Sequence, residues 1–252
     1  MKTGKKMTVI LLLLAASSFA FGQSNNGNNG NNGNIVNNGN GNGNNGNGNG
    51  NNGNNGNNGN NDPDPHVDSP KMTLILNKTN VVIGISGSGS VTIDWGDGSP
   101  VQTQNLSVNF SYFTYSIFGA RAVTISGENI TRLDCSDNQV SLINVSEMTT
   151  LTHLFCSDNQ LTNLNVNNNN LLELLLCNNN SLTSLNVSAN TALKLLDAGF
   201  NNMQGAALNT LLTSLHGNTI SDGKTVLINN NTGTASQQNI NTAINKGWEV
   251  IK

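Results

Sequence analysis

The sequence is poor in the residues that most catalytic and metal sites need. It contains only three histidines and three cysteines. The histidines, His66, His153 and His216, have no nucleophile or orienting carboxylate beside them in sequence, so we expect no enzyme activity. The cysteines form no close Cys-x-x-Cys pair, which argues against a zinc site. No cofactor and no metal are therefore predicted.

Basic residues are scarce as well, which limits the classes of partner. Lysine and arginine number 11 against 14 acidic residues, and three lysines lie within residues 1–22. Removal of that segment would leave 11 − 3 = 8 basic residues and a net charge of −6. Nucleic-acid binding requires a basic stripe, and the sequence has none. We therefore predict no nucleic-acid partner.

The N-terminal apolar run is too short to span a membrane, which takes about 20 residues. It covers residues 9–16, follows three lysines, and precedes the small residues Ala20 and Gly22. This pattern predicts a signal peptide over 1–22, cleaved near Gln23. No cysteine follows for a lipid anchor. We predict a mature chain that is secreted or at the cell surface and has no transmembrane segment.

Residues 23–70 lack the apolar residues that a core requires. Asn25 to Asn61 are asparagine and glycine except for Ile35 and Val36. We predict a disordered Asn/Gly-rich stalk that ends in a Pro/Asp linker. Cross-β assembly is the alternative for such an asparagine-rich segment, and its many glycines oppose it.

Residues 71–128 alternate short β-type runs with glycine and serine, which favours antiparallel hairpins. Trp95-Gly96-Asp97-Gly98 is a tight-turn motif. It resembles the W-G-D-G turn of PKD-type β-sandwiches from bacterial cell surfaces, and implies a small β-sandwich-like module. The predicted strands are Met72–Leu76, Val81–Ile85, Val91–Trp95, Val108–Phe113 and Ala122–Ile125.

Asp94 and Asp97 offer two carboxylates to a Ca²⁺ ion beside this turn. Two carboxylates are few for a cation that takes about six to eight oxygen ligands. An aspartate before a glycine is already explained by the turn. The sequence favours the turn role and leaves calcium binding open.

The strongest pattern is a repeat of 21 residues over 129–208, with the frame L-x-x-L-x-C-x-x-N-x-L in four units. This period predicts a stacked solenoid. Strands around L-x-C should direct the cysteines inward as buried, reduced thiols, while each asparagine bonds backbone groups at the bend. Ala198 replaces the cysteine in the last unit. The structural repeat positions are Cys135, Cys156, Cys177, Asn138, Asn159, Asn180 and Asn201.

Residues 209–252 depart from the repeat and predict a C-terminal cap. We expect a helix over Asn209–Leu215, a strand over Thr225–Ile228, a helix over Ala235–Lys246 that ends at Gly247, and a strand over Trp248–Ile251.

The sequences Asp134-Cys135-Ser136-Asp137-Asn138-Gln139 and Phe155-Cys156-Ser157-Asp158-Asn159-Gln160-Leu161 resemble the leucine-rich repeats of exported Bacteroidetes proteins. The resemblance implies a curved solenoid that works by binding. The expected fold class is mainly β with some helix: a short leucine-rich repeat solenoid flanked by a small antiparallel β module and an α/β C-terminal cap.

Strand alternation places a second set of side chains on the opposite, concave face of the solenoid. Four of them, Phe155, Leu174, Leu176 and Leu195, form an apolar patch where solvated strands normally carry polar residues. We interpret it as a protein or peptide contact surface. Coverage by the β module, the cap or a second copy stays open, as do carbohydrate binding and a purely structural spacer role. The candidate ligand-binding residues are Arg132, Asp134, His153, Phe155, Leu174, Leu176, Leu195 and Asp197.

Overall fold

The computed structural model describes residues 69–252, so the predicted signal peptide and stalk lie outside the described residues except for Ser69 and Pro70. The strands are β1 Lys71–Leu76, β2 Asn80–Ser88, β3 Ser90–Asp94, β4 Gln102–Asn105, β5 Ser111–Ser116, β6 Arg121–Ser126, β7 Asn129–Asp134, β8 Val140–Asn144, β9 His153–Phe155, β10 Leu174–Leu176, β11 Leu195–Asp197, β12 Lys224–Leu227 and β13 Trp248–Ile251. The helices are α1 Gly205–Ser214 and α2 Gln237–Asn245.

Two sheets share one hydrophobic core. The smaller has the strand order β4-β3-β6-β1-β8, and the larger has the order β13-β12-β11-β10-β9-β7-β2-β5. In the larger sheet, β7 and β9 to β13 run parallel to one another, while β2 pairs antiparallel with both β7 and β5. The chain is thus a mainly β leucine-rich-repeat-type solenoid with an antiparallel β module at one end and an α/β cap at the other.

The repeat has the structure that its period predicts. Residues 21 positions apart lie directly opposite on adjacent parallel strands, as Leu154, Leu175 and Leu196 do. The three cysteines and Ala198 are fully buried, and the cysteines are free thiols. Burial raises the pKa of the Cys156 thiol well above its usual value, so these groups behave as small apolar side chains.

Each repeat asparagine closes the bend after its strand. Asn159 donates from Nδ2 to the carbonyls of Cys135, Cys156 and Ser157 at 3.0, 3.2 and 3.1 Å. Its Oδ1 accepts from the backbone N–H groups of Asn138 and Val140 at 3.1 and 2.8 Å. The side chain therefore satisfies backbone groups of two successive coils, as predicted.

The structure contains a second ladder of asparagines that was not predicted. Asn169 Nδ2 donates to Val145 O and Met148 O, and Asn190 Nδ2 donates to Val166 O and Asn169 O. Both asparagines are fully buried. Their spacing is again 190 − 169 = 21. It was not recognised because many other asparagines surround these two in the sequence.

The β module differs from expectation in two strands. β4 was not predicted, because Gln102–Asn105 has no apolar residue to mark it. β5 lies at Ser111–Ser116, displaced from the predicted Val108–Phe113, and Val108 stands exposed before it. Among consecutive strands of the module only β3 and β4 form a hairpin, since most chain connections cross between the sheets.

The predicted boundary at residue 128 lies between β6 and β7. Both sheets continue across it, because β7 pairs with β2 and β8 pairs with β1. The module therefore supplies hydrogen-bonded neighbours to the first repeat and covers its open end. The boundary between two domains at residue 128 stays a prediction.

The C-terminal cap has the predicted order of helix, strand, helix and strand. α1 begins at Gly205, before the predicted start, so Ala206 and Leu208 lie in a helix and do not form the second half of a fourth coil. The reason is the spacing of Leu208, Leu211 and Leu212, which buries one helical face. In residues 69–252 no helix has the length and apolar character that a membrane crossing demands.

Candidate functional site

The sheet face opposite the main core, which we keep calling the concave face, is organised in rows of opposed residues. One row contains Arg132, His153, Leu174 and Leu195, and continues through Thr225. The next row contains Asp134, Phe155, Leu176 and Asp197, and continues through Leu227. The eight predicted ligand-binding residues therefore lie on one face, four in each row.

Apolar side chains at the centre of these rows form a cluster separate from the main core. It contains Leu174, Leu176 and Leu195, with Phe155 and Leu227 packed against them. The leucines are less exposed than alternation alone predicts, at 9%, 3% and 7%. Neighbouring strands in a sheet are only about 4.8 Å apart, so the side chains within a row cover one another. Leu227 was missed because it lies in the cap, outside the repeat frame.

The β module adds aromatic side chains at one end of this cluster. The rings of Phe110 and Phe155 are 6.2 Å apart, and those of Phe110 and Tyr112 are 5.8 Å apart. Gly84 makes room for them, since a Cβ atom there would lie 3.0 Å from Tyr112 and 3.1 Å from Phe110. Tyr112 remains 50% exposed. No repeat spacing relates these residues to Phe155, so the contact could not be predicted from the sequence.

Charged and polar side chains lie beside the apolar cluster. Lys194 and Glu173 form an ion pair at 2.7 Å, with both side chains 36% exposed. His153 Nδ1 lies 2.9 Å from Thr152 Oγ1. Burial and the nearby Arg132 lower the pKa of His153 to about 4, so its ring is neutral at pH 7. An apolar centre next to polar groups is the usual arrangement of a protein contact surface.

The two aspartates of the concave face have turn roles. Asp134 accepts from Ser136 N and Asp197 accepts from Gly199 N, each at 3.0 Å from Oδ1. Burial raises the pKa of both carboxyls. Because burial also lowers the pKa of His153, every titratable shift among these predicted ligand-binding residues favours the neutral form.

In the predicted turn, backbone N–H groups donate hydrogen bonds to the carboxylates of Asp94 and Asp97. Asp94 Oδ1 accepts from Gly96 N at 2.8 Å, and Asp97 Oδ1 accepts from Ser99 N at 3.0 Å. Tyr115, stacked on Trp95 with ring centroids 4.6 Å apart, donates to Asp97 Oδ2. Hydrogen bonds from Ser99 lower the pKa of Asp97. Across residues 69–252, no three His, Cys, Asp or Glu side chains gather as a metal site.

No protein-family model and no curated protein matches the chain. Among solved structures, it is similar to the functional domain of InlJ from Listeria monocytogenes, which includes a cysteine ladder, at 32% identity and a TM-score of 0.32. It is also similar to the internalin InlF of the same organism, at 16% identity and a TM-score of 0.35. These matches cover 39% and 42% of this chain, and only 20% and 29% of the internalin chains.

Proposed function

We propose that the chain is a non-catalytic scaffold that binds a protein or peptide on its concave face. The observation that carries this proposal is the second apolar cluster, built on the sheet face opposite the core. A sheet needs only one buried face for folding, so a second apolar cluster on the other face, with Tyr112 still 50% exposed at its end, offers apolar surface to a partner. Burial lowers the pKa of His153 to about 4, so its neutral ring adds no charge that a partner would have to bury.

The proposed setting is outside the cell, either secreted or at the cell surface. It rests on the signal-peptide pattern of residues 1–22. The similarity of the repeats to those of exported Bacteroidetes proteins agrees with this setting. The W-G-D-G turn of the β module adds a second feature typical of bacterial surface proteins.

A random peptide library displayed on phage, selected against the purified chain, tests the proposal. Peptides that dock on the concave face lose at least about tenfold in affinity on Phe155→Ala or Tyr112→Ala, since both side chains keep exposed surface and removal of one apolar contact costs about 1.4 kcal/mol or more. Leu171→Ala is the matched control, because Leu171 is 53% exposed and lies outside the cluster. Folding of each variant is checked by circular dichroism.

Two results contradict the assignment. One is a selection that yields no binding peptide from a folded chain. The other is a set of peptides that bind the folded Phe155 and Tyr112 variants as tightly as the original chain.

Carbohydrate binding is the second candidate, and the contact between Phe110, Tyr112 and Phe155 favours it. Grouped aromatic rings can stack on the faces of sugar rings. A glycan array separates the two candidates: glycan binding that Tyr112→Ala abolishes, without any selected peptide, supports the carbohydrate function.

A further inference from the structure

We propose that two copies of the chain associate through antiparallel pairing of their β5 strands. Within residues 69–252, β5 is one edge of the eight-stranded sheet and pairs only with β2. The inference goes beyond ligand binding and rests on the hydrogen-bonding direction and composition of this edge.

The direction of the backbone groups of β5 follows from two observations. Ile117 N donates to Thr79 O at 2.7 Å, which makes these opposed residues a hydrogen-bonded pair. Bonded and non-bonded pairs alternate in an antiparallel ladder, so Tyr112, Thr114 and Ser116 turn their N–H and C=O groups away from β2. Val82 lies opposite Thr114, and its N–H and C=O groups bond the side chain of Asn138 on the side of β2 away from β5. Val82 and Thr114 are therefore a non-bonded pair, as the alternation requires.

This edge has none of the usual features that prevent strand pairing. Proteins protect edge strands with charges, proline, bulges or very short strands. Residues 101–120 contain no charged residue and no proline, and the β2–β5 register runs without a bulge over six pairs. Tyr112, Thr114 and Ser116 are all exposed. At the opposite edge, β13 has four residues, carries Glu249 and packs against α2.

Two-fold symmetry selects a register for a second copy. A two-fold axis perpendicular to the sheet, midway between the two β5 strands at the level of Thr114, places Thr114 opposite its equivalent and Tyr112 opposite Ser116 of the second copy. All three residues then present their outward N–H and C=O groups to each other. Threonine pairs across strands are favourable, and no charges oppose one another. The ends of the paired strands adjoin Val108 and Phe118, each 79% exposed and the most exposed large apolar residues of the described chain.

The pairing is closed and gives a dimer, because both copies use the same β5 edge. A perpendicular two-fold axis keeps the same face of both sheets on one side. Tyr112 and Asp134 lie opposite Gly84 on this face, so the concave faces of both copies open in the same direction. If they bind as proposed above, the dimer engages repeated ligands with increased avidity.

Sedimentation velocity of the full chain over a concentration series tests the association. The wild-type chain is expected to dimerise, and Thr114→Lys and Thr114→Glu each raise the dimer dissociation constant by at least about tenfold, since like charges then oppose across the axis. An equimolar mixture of the two variants restores the dimer. Thr103→Lys, on the exposed β4 edge of the other sheet, is the matched control and leaves the dimer intact.

Hydrogen exchange of the wild-type chain gives a second measurement that needs no variant. The outward amides of Tyr112, Thr114 and Ser116 exchange more slowly as the protein concentration rises. A wild-type chain that stays monomeric at every concentration overturns the proposal. A dimer that survives Thr114→Lys, or one that Thr103→Lys dissociates, also overturns it. None of these results depends on the concave face, so the two proposals fail separately.

Discussion

Replacement of Asn159 by alanine is the sharpest test of how the repeat is stabilised. The substitution removes the acceptor of two backbone N–H groups, those of Asn138 and Val140. A buried donor left without a partner costs about 1–3 kcal/mol. Asn159 is only partly buried, so we place the total loss of unfolding free energy at about 2–4 kcal/mol.

Equilibrium unfolding in urea, followed by far-ultraviolet circular dichroism, measures this loss. At a slope of about 2 kcal/mol per molar, the midpoint falls by about 1–2 M. Asn163→Ala is the control in the same repeat, since Asn163 is exposed, and its effect stays within about 0.5 kcal/mol. An Asn159→Ala variant as stable as this control would refute the bonding role of the ladder.

Asn159→Asp refines the same test. The carboxylate keeps the acceptor atom but places a second oxygen beside the carbonyls of Cys135, Cys156 and Ser157, which Nδ2 now reaches at 3.0 to 3.2 Å. Repulsion raises the folded-state pKa of the new carboxyl above its unfolded value of about 3.9. The folded variant then binds a proton more tightly, so its stability relative to wild type decreases as pH rises through this range. A difference from wild type that is constant from pH 3 to 7 contradicts the geometry.

Further predictions concern single side chains. Thiol reagents label no cysteine in the native chain and three in denaturant, because Cys135, Cys156 and Cys177 are fully buried; native labelling of any one refutes this. Burial lowers the pKa of His216, whose ring accepts a hydrogen bond from Asn218 N, so the unfolding free energy decreases as pH falls below about 6.5. The His216→Gln variant loses this part of the pH dependence. An unchanged pH profile of stability in the variant refutes the prediction. Gly96→Ala destabilises by more than Gly98→Ala, since both have positive φ but only at Gly96 would Cβ meet a carbonyl, at 2.2 Å; equal stabilities contradict this.

The repeat frame made much of the solenoid predictable. A period of 21 residues determines both which strands are neighbours and which side chains share a face, so Cys156, Asn159 and Phe155 received correct positions together. The repeat does not predict which antiparallel strands outside it are neighbours. The placement of Tyr112 above Gly84, and of Phe110 against Phe155, depends on a register between β2, β5 and β7 that no repeat encodes.

Phe200 has a backbone conformation that is unfavourable for its residue type. The residue before each repeat asparagine has positive φ, and three of the four are Asp137, Asp158 and Asn179, which tolerate this conformation. Phe200 has φ of 51° and is 49% exposed, so neither backbone preference nor burial explains a phenylalanine there. Phe200→Asn should therefore raise the unfolding free energy by up to about 1 kcal/mol; a loss of stability in urea would show a packing role for the ring.

Stability and binding are coupled to different degrees across the concave face. Leu174, Leu176 and Leu195 pack so tightly that their truncation costs unfolding free energy, about 2–5 kcal/mol for a buried leucine. Tyr112 keeps half of its surface exposed, and Phe155 is only partly buried. Loss of ligand at these two aromatic positions, with an unfolding midpoint close to that of wild type, is therefore stronger evidence for a binding face than loss at any leucine.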